Sequence, residues 1–307
     1  MIRHNIAVRR PQDLPALRDW LIDIRPDGYW HPDFFKSVLP RADLWWVDAP
    51  ACALLADATD SYPTTVELSE SLIPSLFGLA FLAEPIVGTD TVTGETIEVA
   101  ALIWAPYIVQ RPNGTEAMAI AVVILARAPA DLLEAALIGS NITDYVPANG
   151  LPLVHIGGNT WELGTPIASI SDDPRASFFP GTPAAAMMAS NIEDRRLLAC
   201  LWHLSRTPIT QFSPARFTRP ELRRAARIGQ RTDVRVLSLR PHDTTDEHDT
   251  GSRNYRHQWI VRPHWRWQPF GPGRAQRRLI LVGPYIKGPE GAPLLGGERV
   301  WRLKGDR

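Results

Sequence analysis

The chain has 307 residues, 45% of them hydrophobic and 21% charged, with a formal net charge of zero. This much apolar material supports a large core and excludes an intrinsically disordered chain, and no apolar run reaches the roughly 18 residues of a membrane-crossing helix. Cys52 and Cys200 have no C-x-x-C partner, which argues against a disulfide framework or cysteine-ligated zinc and for two buried thiols in a cytoplasmic protein.

In chain order, the opening "MIRHNIAVRRPQDLP" lacks an apolar signal core, so secretion is not expected. "PQDLPALRDWLIDIR" (11–25) spaces Leu14, Leu17, Leu21 and Ile24 by three and four, which predicts an amphipathic helix. "HPDFFKSVL" (31–39) predicts a short helix closed by Pro40. From about 42 to 128 the pattern changes to β-type runs: "LWWVDA", "TTVELSE", "LAFLAEPI", "TIEVAALIWAPYIV" and "AMAIAVVILARA". The last two, joined through "RPNG", predict a hairpin. "PADLLEAALIG" (129–139) reads as a helix ended by Gly139, and residues 140–182 carry no periodic segment.

The longest helix signal is "MASNIEDRRLLACLWHLSR" (188–206). "TRPELRRAARIG" (218–229) follows, with a Thr218/Glu221 capping box and Gly229 at its end. Strand patterns then return at 233–240, 254–268, 277–287 and 298–304. No repeat of fixed period is visible. The expected class is α+β: an acidic mixed α/β domain with antiparallel strands (1–206) and a basic helix-plus-antiparallel-sheet domain (207–307). One compact unit remains the alternative, because the 188–206 helix can pack on either side of the division.

The zero net charge conceals a division. Residues 1–214 hold 13 Lys+Arg and 24 Asp+Glu, a balance of −11; residues 215–307 hold 20 and 9, a balance of +11. Such asymmetry points to an anionic partner for the basic part, nucleic acid first, an acidic protein second. The acidic part of the same chain is a third candidate.

The basic part concentrates its chemistry in "HWRWQPFGPGRAQRRLILVGPYIKG" (264–288). Strand alternation puts Tyr255, His257, Trp259, Val261, Trp265 and Trp267 on one face. Arg256, Gln258, Ile260, Arg262, His264, Arg266 and Gln268 fall on the other, unless a bulge at Pro263 shifts the register. Unpaired charge is costly to bury, so the arginine face is expected to meet water, carboxylates or an anionic ligand. "FGPGRAQRR" (270–278) adds a glycine turn and Arg274, Arg277 and Arg278, a possible anion nest with guanidinium forks or else a tight turn with a solvated rim. Tyr285 and Lys287 end the next strand.

"HQWIVRPHWRWQPFGPGRAQRRLILVGPYIKGPEGAPL", preceded by "DVRVLSLR" and "RRAARIG", resembles the C-terminal signature of an uncharacterised protein family of actinobacteria and their phages and plasmids. The resemblance extends to "SLIPSLFGLAFLAEPI" and "ALIWAPYIV" in the first half. It implies a mobile-element or host-conflict setting and names no catalytic residue.

Elsewhere the bland readings prevail. His242, Asp243, Asp246, Glu247, His248 and Asp249 match no metal-loop spacing and read as a solvated loop, so neither a metal nor a cofactor is expected. His203 reads as a semi-core histidine, His155 lacks a visible nucleophile, and no G-x-S-x-G elbow is present.

Three functions remain. The first is binding of RNA or single-stranded DNA through Arg256, Arg262, Arg266, Arg274, Arg277, Arg278 and Lys287, with Trp265 stacking on bases. The second is a metal-independent, toxin-like ribonuclease with His264 as general acid or base, Arg266, Arg274 or Arg278 stabilising phosphorane charge, and Tyr285 or Lys287 assisting. The third is an interaction module whose basic domain docks on acidic residues.

Overall fold

The computed structural model describes residues 8–23, 34–89, 96–111, 113–127, 153–169, 184–240 and 259–287. The expected helix at 129–139, the acidic loop at 241–252, Arg256 and the strand at 298–304 lie outside them. Five helices are described: α1 (Leu14–Asp23), α2 (Phe34–Val38), α3 (Ala49–Thr59), α4 (Ala184–Leu204) and α5 (Arg219–Arg227). With them stand β1 (Asp43–Val47), β2 (Gly78–Thr89), β3 (Thr96–Gln110), β4 (Glu116–Arg127), β5 (Leu153–Glu162), β6 (Thr210–Pro214) and β7 (Val234–Leu239). These seven strands form one mixed sheet in the order β5-β4-β3-β2-β1-β7-β6. The chain is α+β, as expected.

β2 to β5 form an antiparallel meander, and the β3–β4 hairpin turns through Gly114 at φ 79°. β1 runs parallel to both β2 and β7, and β6 closes the edge antiparallel to β7. β6 and β7 come from beyond residue 206, so the sheet crosses the expected division there. β6 arises just past that expected division.

Alternation along the strands separates two cores. Trp45, Leu102, Trp104, Val122 and Trp161 face one way, under Leu55 of α3 and Leu198, Leu201 and Trp202 of α4. Leu44, Trp46, Phe81, Ile103 and Val123 face the other way, under Leu14 and Leu17 of α1 and Phe34 and Phe35 of α2. Helices therefore cover both faces, which is why Val99 to Ala105 of β3 are all buried.

Three local expectations are corrected. Residues 49–59 form α3, within a stretch read as β-type runs. Asp48 caps it by accepting the Ala51 amide at 2.9 Å, and Pro50 is in its first turn. Its side chains are mostly small and apolar, so the amphipathic period that marks a surface helix is missing. "TTVELSE" is no strand: Glu67 makes one isolated bridge to Pro166. β5 lies in the stretch that showed no periodicity, where Gly157 and Gly158 dilute the strand pattern.

Candidate nucleic-acid interface

The opposed chemistry of 259–287 folds into a bent β-ribbon outside the main sheet. β9 (His264–Phe270) pairs antiparallel with β10 (Gln276–Val282), and β8 (Trp259–Val261) with β11 (Tyr285–Lys287). The last rung of the β9–β10 ladder is His264 opposite Val282; the first rung of the β8–β11 ladder is Val261 opposite Tyr285. Between them Arg262 and Pro263 lie across from Gly283 and Pro284. Each strand thus has a proline, without an N–H to give, at the same break in the ladder. The register continues unshifted across it, so no bulge reassigns the two faces.

One face docks on the α3/α4 layer. Trp265 is 6% exposed, and Leu279 and Leu281 pack against the same core. The Trp265 amide donates to Ser61 Oγ at 3.2 Å, and its ring meets Tyr62 edge-on with centroids 5.3 Å apart. His203 of α4 completes the seat, 5.5 Å from Trp265 and hydrogen-bonded through Nδ1 to the Tyr62 hydroxyl. Burial pushes the Tyr62 hydroxyl up and lowers His203 to about 4, with the nearby Arg206 cation adding to the latter. Tyr62 therefore remains the donor and His203 the neutral acceptor. The seat is an anchor for the ribbon. The sequence reading placed Trp265 among base-stacking residues; its ring is instead enclosed by the core.

Trp267, on the same face, is 45% exposed although Leu279 across from it packs on that core; Phe270 at the strand end is 36% exposed. Among the described side chains of the ribbon these are the exposed aromatic rings, and sequence alternation could not distinguish Trp267 from Trp265.

The guanidinium groups are outside. Arg262, Arg266, Arg274, Arg277 and Arg278 are all exposed. Among the described residues none of the five forms an ion pair with a carboxylate. Arg266 donates to Gln268 Oε1 at 3.1 Å, and Arg278 lies over the Phe270 ring at 5.6 Å. The ribbon docks by apolar contact, leaving its cations to solvent.

The turn is built by Gly271 (φ 76°) and Gly273 (φ 61°), and Arg274 also has φ 57°. The amides of Arg274 and Ala275 donate to Gly271 and Pro272 carbonyls at 3.0 and 3.3 Å. Those two N–H groups close the turn and are not offered to an anion.

His264 and Arg266 share one face of β9. His264 Nδ1 lies 3.1 Å from the Arg262 carbonyl. A carbonyl only accepts, so Nδ1 is the donor in this contact, and in the neutral imidazole the lone pair is then on Nε2. Tyr285 and Lys287 pair with Val261 and Trp259, at separate rungs beyond the proline break. The four catalytic candidates do not occupy one rung.

No group of three or more His, Cys, Asp or Glu among the described residues is arranged to hold a metal ion. No helix of the described residues is long and apolar enough to cross a membrane. No protein-family model, curated protein or solved structure matches the chain.

Proposed function

We propose that the protein binds RNA or single-stranded DNA along the exposed surface of the β8–β11 ribbon, in the mobile-element setting its C-terminal signature implies. One observation carries this reading: five exposed guanidinium groups without carboxylate partners among the described residues, beside the exposed rings of Trp267 and Phe270. Guanidinium forks suit phosphate oxygens, and an open ring stacks on any base, which together grip a single strand without reading its sequence. An acidic protein would satisfy the charges but gives the exposed rings no comparable partner.

The test is a fluorescence-polarisation titration of the full chain against a mixed-sequence single strand at several salt concentrations. Binding is expected to fall steeply with salt. The Arg274/Arg277/Arg278→Ala variant should bind more weakly, with a log–log salt slope shallower by about 2, since each lost phosphate contact on a single strand removes about 0.7. No binding to any single strand at low salt would remove the reading.

A second reading, metal-independent cleavage of RNA, is favoured by the His264 tautomer alone: a free Nε2 lone pair beside Arg266 suits a general base. Wild type and His264→Ala incubated with RNA in EDTA decide it, because cleavage must be present in the first and lost in the second.

A further inference from the structure

Four more arginines of the basic segment lie on the other side of the sheet. α5 is capped at both ends. Thr218 and Glu221 form a reciprocal capping box, Gly229 has φ 66°, and the Gln230 and Gly229 amides return to the Ala225 and Ala226 carbonyls at 2.9 and 3.3 Å. Polar ties hold the helix at both ends: Arg10, ahead of α1, pairs with Glu221 at 2.9 Å, and Gln230, just past α5, donates to Asp19 Oδ2 of α1 at 2.6 Å. Phe217, just before it, packs into the α1/α2 core.

Within α5 only Ala225 is buried. Opposite that contact, Arg219, Arg223 and Arg227 recur every fourth residue along one outward row, with Arg224 beside them, and all four are exposed. None of the four has a carboxylate partner among the described residues. Like charges four apart on a helix repel one another. Nine residues would also be marginal as an isolated helix. Caps, and ties to Arg10 and Asp19, hold in place a helix whose outward row is cationic.

We propose that α5 is a second polyanion-binding surface, and that its ligand is double-stranded DNA. The row spans about 12 Å at 1.5 Å per residue, and the helix with its side chains is about 10–12 Å across. The major groove of B-form DNA is about 12 Å wide and admits such a helix, whereas the major groove of A-form RNA is too narrow. Leu222 and Ile228, 45% and 64% exposed, flank the buried contact and supply apolar surface beside the row. The ribbon packs on the α3/α4 core, whereas α5 follows Phe217 of the α1/α2 core and is tied to Arg10 and Asp19 on that side, so the sheet separates the two basic surfaces. The protein then holds a single strand on one side and a duplex on the other. The single-strand half of that statement rests on the function proposed above; the duplex half does not.

The experiment crosses two ligands with two variants of the full chain: a DNA duplex of about 20 base pairs and a mixed-sequence single-stranded RNA, against Arg219/Arg223/Arg227→Ala and Arg274/Arg277/Arg278→Ala. The α5 variant is expected to lose at least tenfold in duplex affinity while its RNA affinity stays within about twofold; the ribbon variant should show the reverse. The corresponding Arg→Lys triple in α5 should recover most of the duplex binding, which separates loss of charge from damage to the helix. Duplex binding absent in the wild type, or unaffected in the α5 variant, overturns the proposal. So does displacement of the duplex by the ribbon variant's substitutions alone, since that places all contacts on one surface. Capture of poly-glutamate but not of duplex at matched salt also overturns it, in favour of an acidic protein. RNA binding that fails while duplex binding survives removes the ribbon reading and leaves α5 intact.

Discussion

Trp265 meets Tyr62 edge to face at 5.3 Å, joining a strand near the end of the chain to the turn that follows α3. Two residues further along the same face, Trp267 has no such seat. Trp265→Ala should therefore cost about 3–5 kcal/mol in stability, as for a buried large aromatic. Trp267→Ala should change stability by less than about 0.5 kcal/mol and weaken single-strand binding by about 1–3 kcal/mol. Urea denaturation and polarisation on both variants check the pair; reversed roles would place the docked face wrongly.

His203 makes the same seat sensitive to acid. Its folded pKa is lowered to about 4 by burial and by Arg206, from about 6.5 when unfolded. Tyr62, Cys200 and Trp265 around it bring no carboxylate to offset this. The unfolded chain thus binds the proton more readily between those values, and stability that is complete above pH 6.5 declines as pH falls toward 4. The contribution is on the order of 2–3 kcal/mol. Asp194 acts in the opposite sense: burial raises its carboxyl, while the Asn159 amide and Arg195 pull it back. The clean measurement is the difference between wild type and His203→Gln, in which Asp194 cancels: the stability of the wild type relative to the variant should fall as pH drops from 7 to 5.

Arg195 of α4 is buried and joins three segments. Its guanidinium donates to Asn159 Oδ1 at 3.0 Å and to the carbonyls of Thr160, Ile167 and Ser169 at 2.5, 3.1 and 2.7 Å. Burial lowers it only to about 10, so it stays charged at neutral pH. Arg195→Lys keeps the charge but cannot fan out to four acceptors, and should cost at least about 2 kcal/mol. Faster hydrogen exchange in β5 would locate the loss; an unchanged denaturation midpoint would show that the network contributes little.

Gly78 marks a close approach across the sheet. A Cβ there would lie 1.9 Å from Trp104 Cζ2, its cross-strand partner. Trp104 cannot yield, being enclosed by Trp45 and Trp202 and tied by its indole N–H to the Ser75 carbonyl at 2.8 Å. Gly78→Ala should destabilise the protein by about 2–4 kcal/mol through overpacking. Adding Trp104→Phe should recover part of that loss, and additive losses in the double variant would argue against steric conflict.

Local patterns determined a good deal. "RPNG" between two apolar runs specified the β3–β4 hairpin, Thr218 and Glu221 specified the start of α5, and alternation in 264–268 put Arg266 opposite to Trp265, because turns, caps and strand faces depend on residues close in sequence. Contacts between distant segments decided the rest. Nothing within "LWWVDA" says that β1 lies between β2 and β7, parallel to both, and α3 has no polar face to announce it. Trp265 and Trp267 share one strand face, yet only the first is enclosed, because Tyr62 and His203, distant in sequence, meet its ring. The +11 balance of residues 215–307 reads as one basic region along the chain. In the fold β7 enters the sheet between α5 and the ribbon, and each of the two packs on a different side, so a single cluster of charge in sequence becomes two surfaces in space.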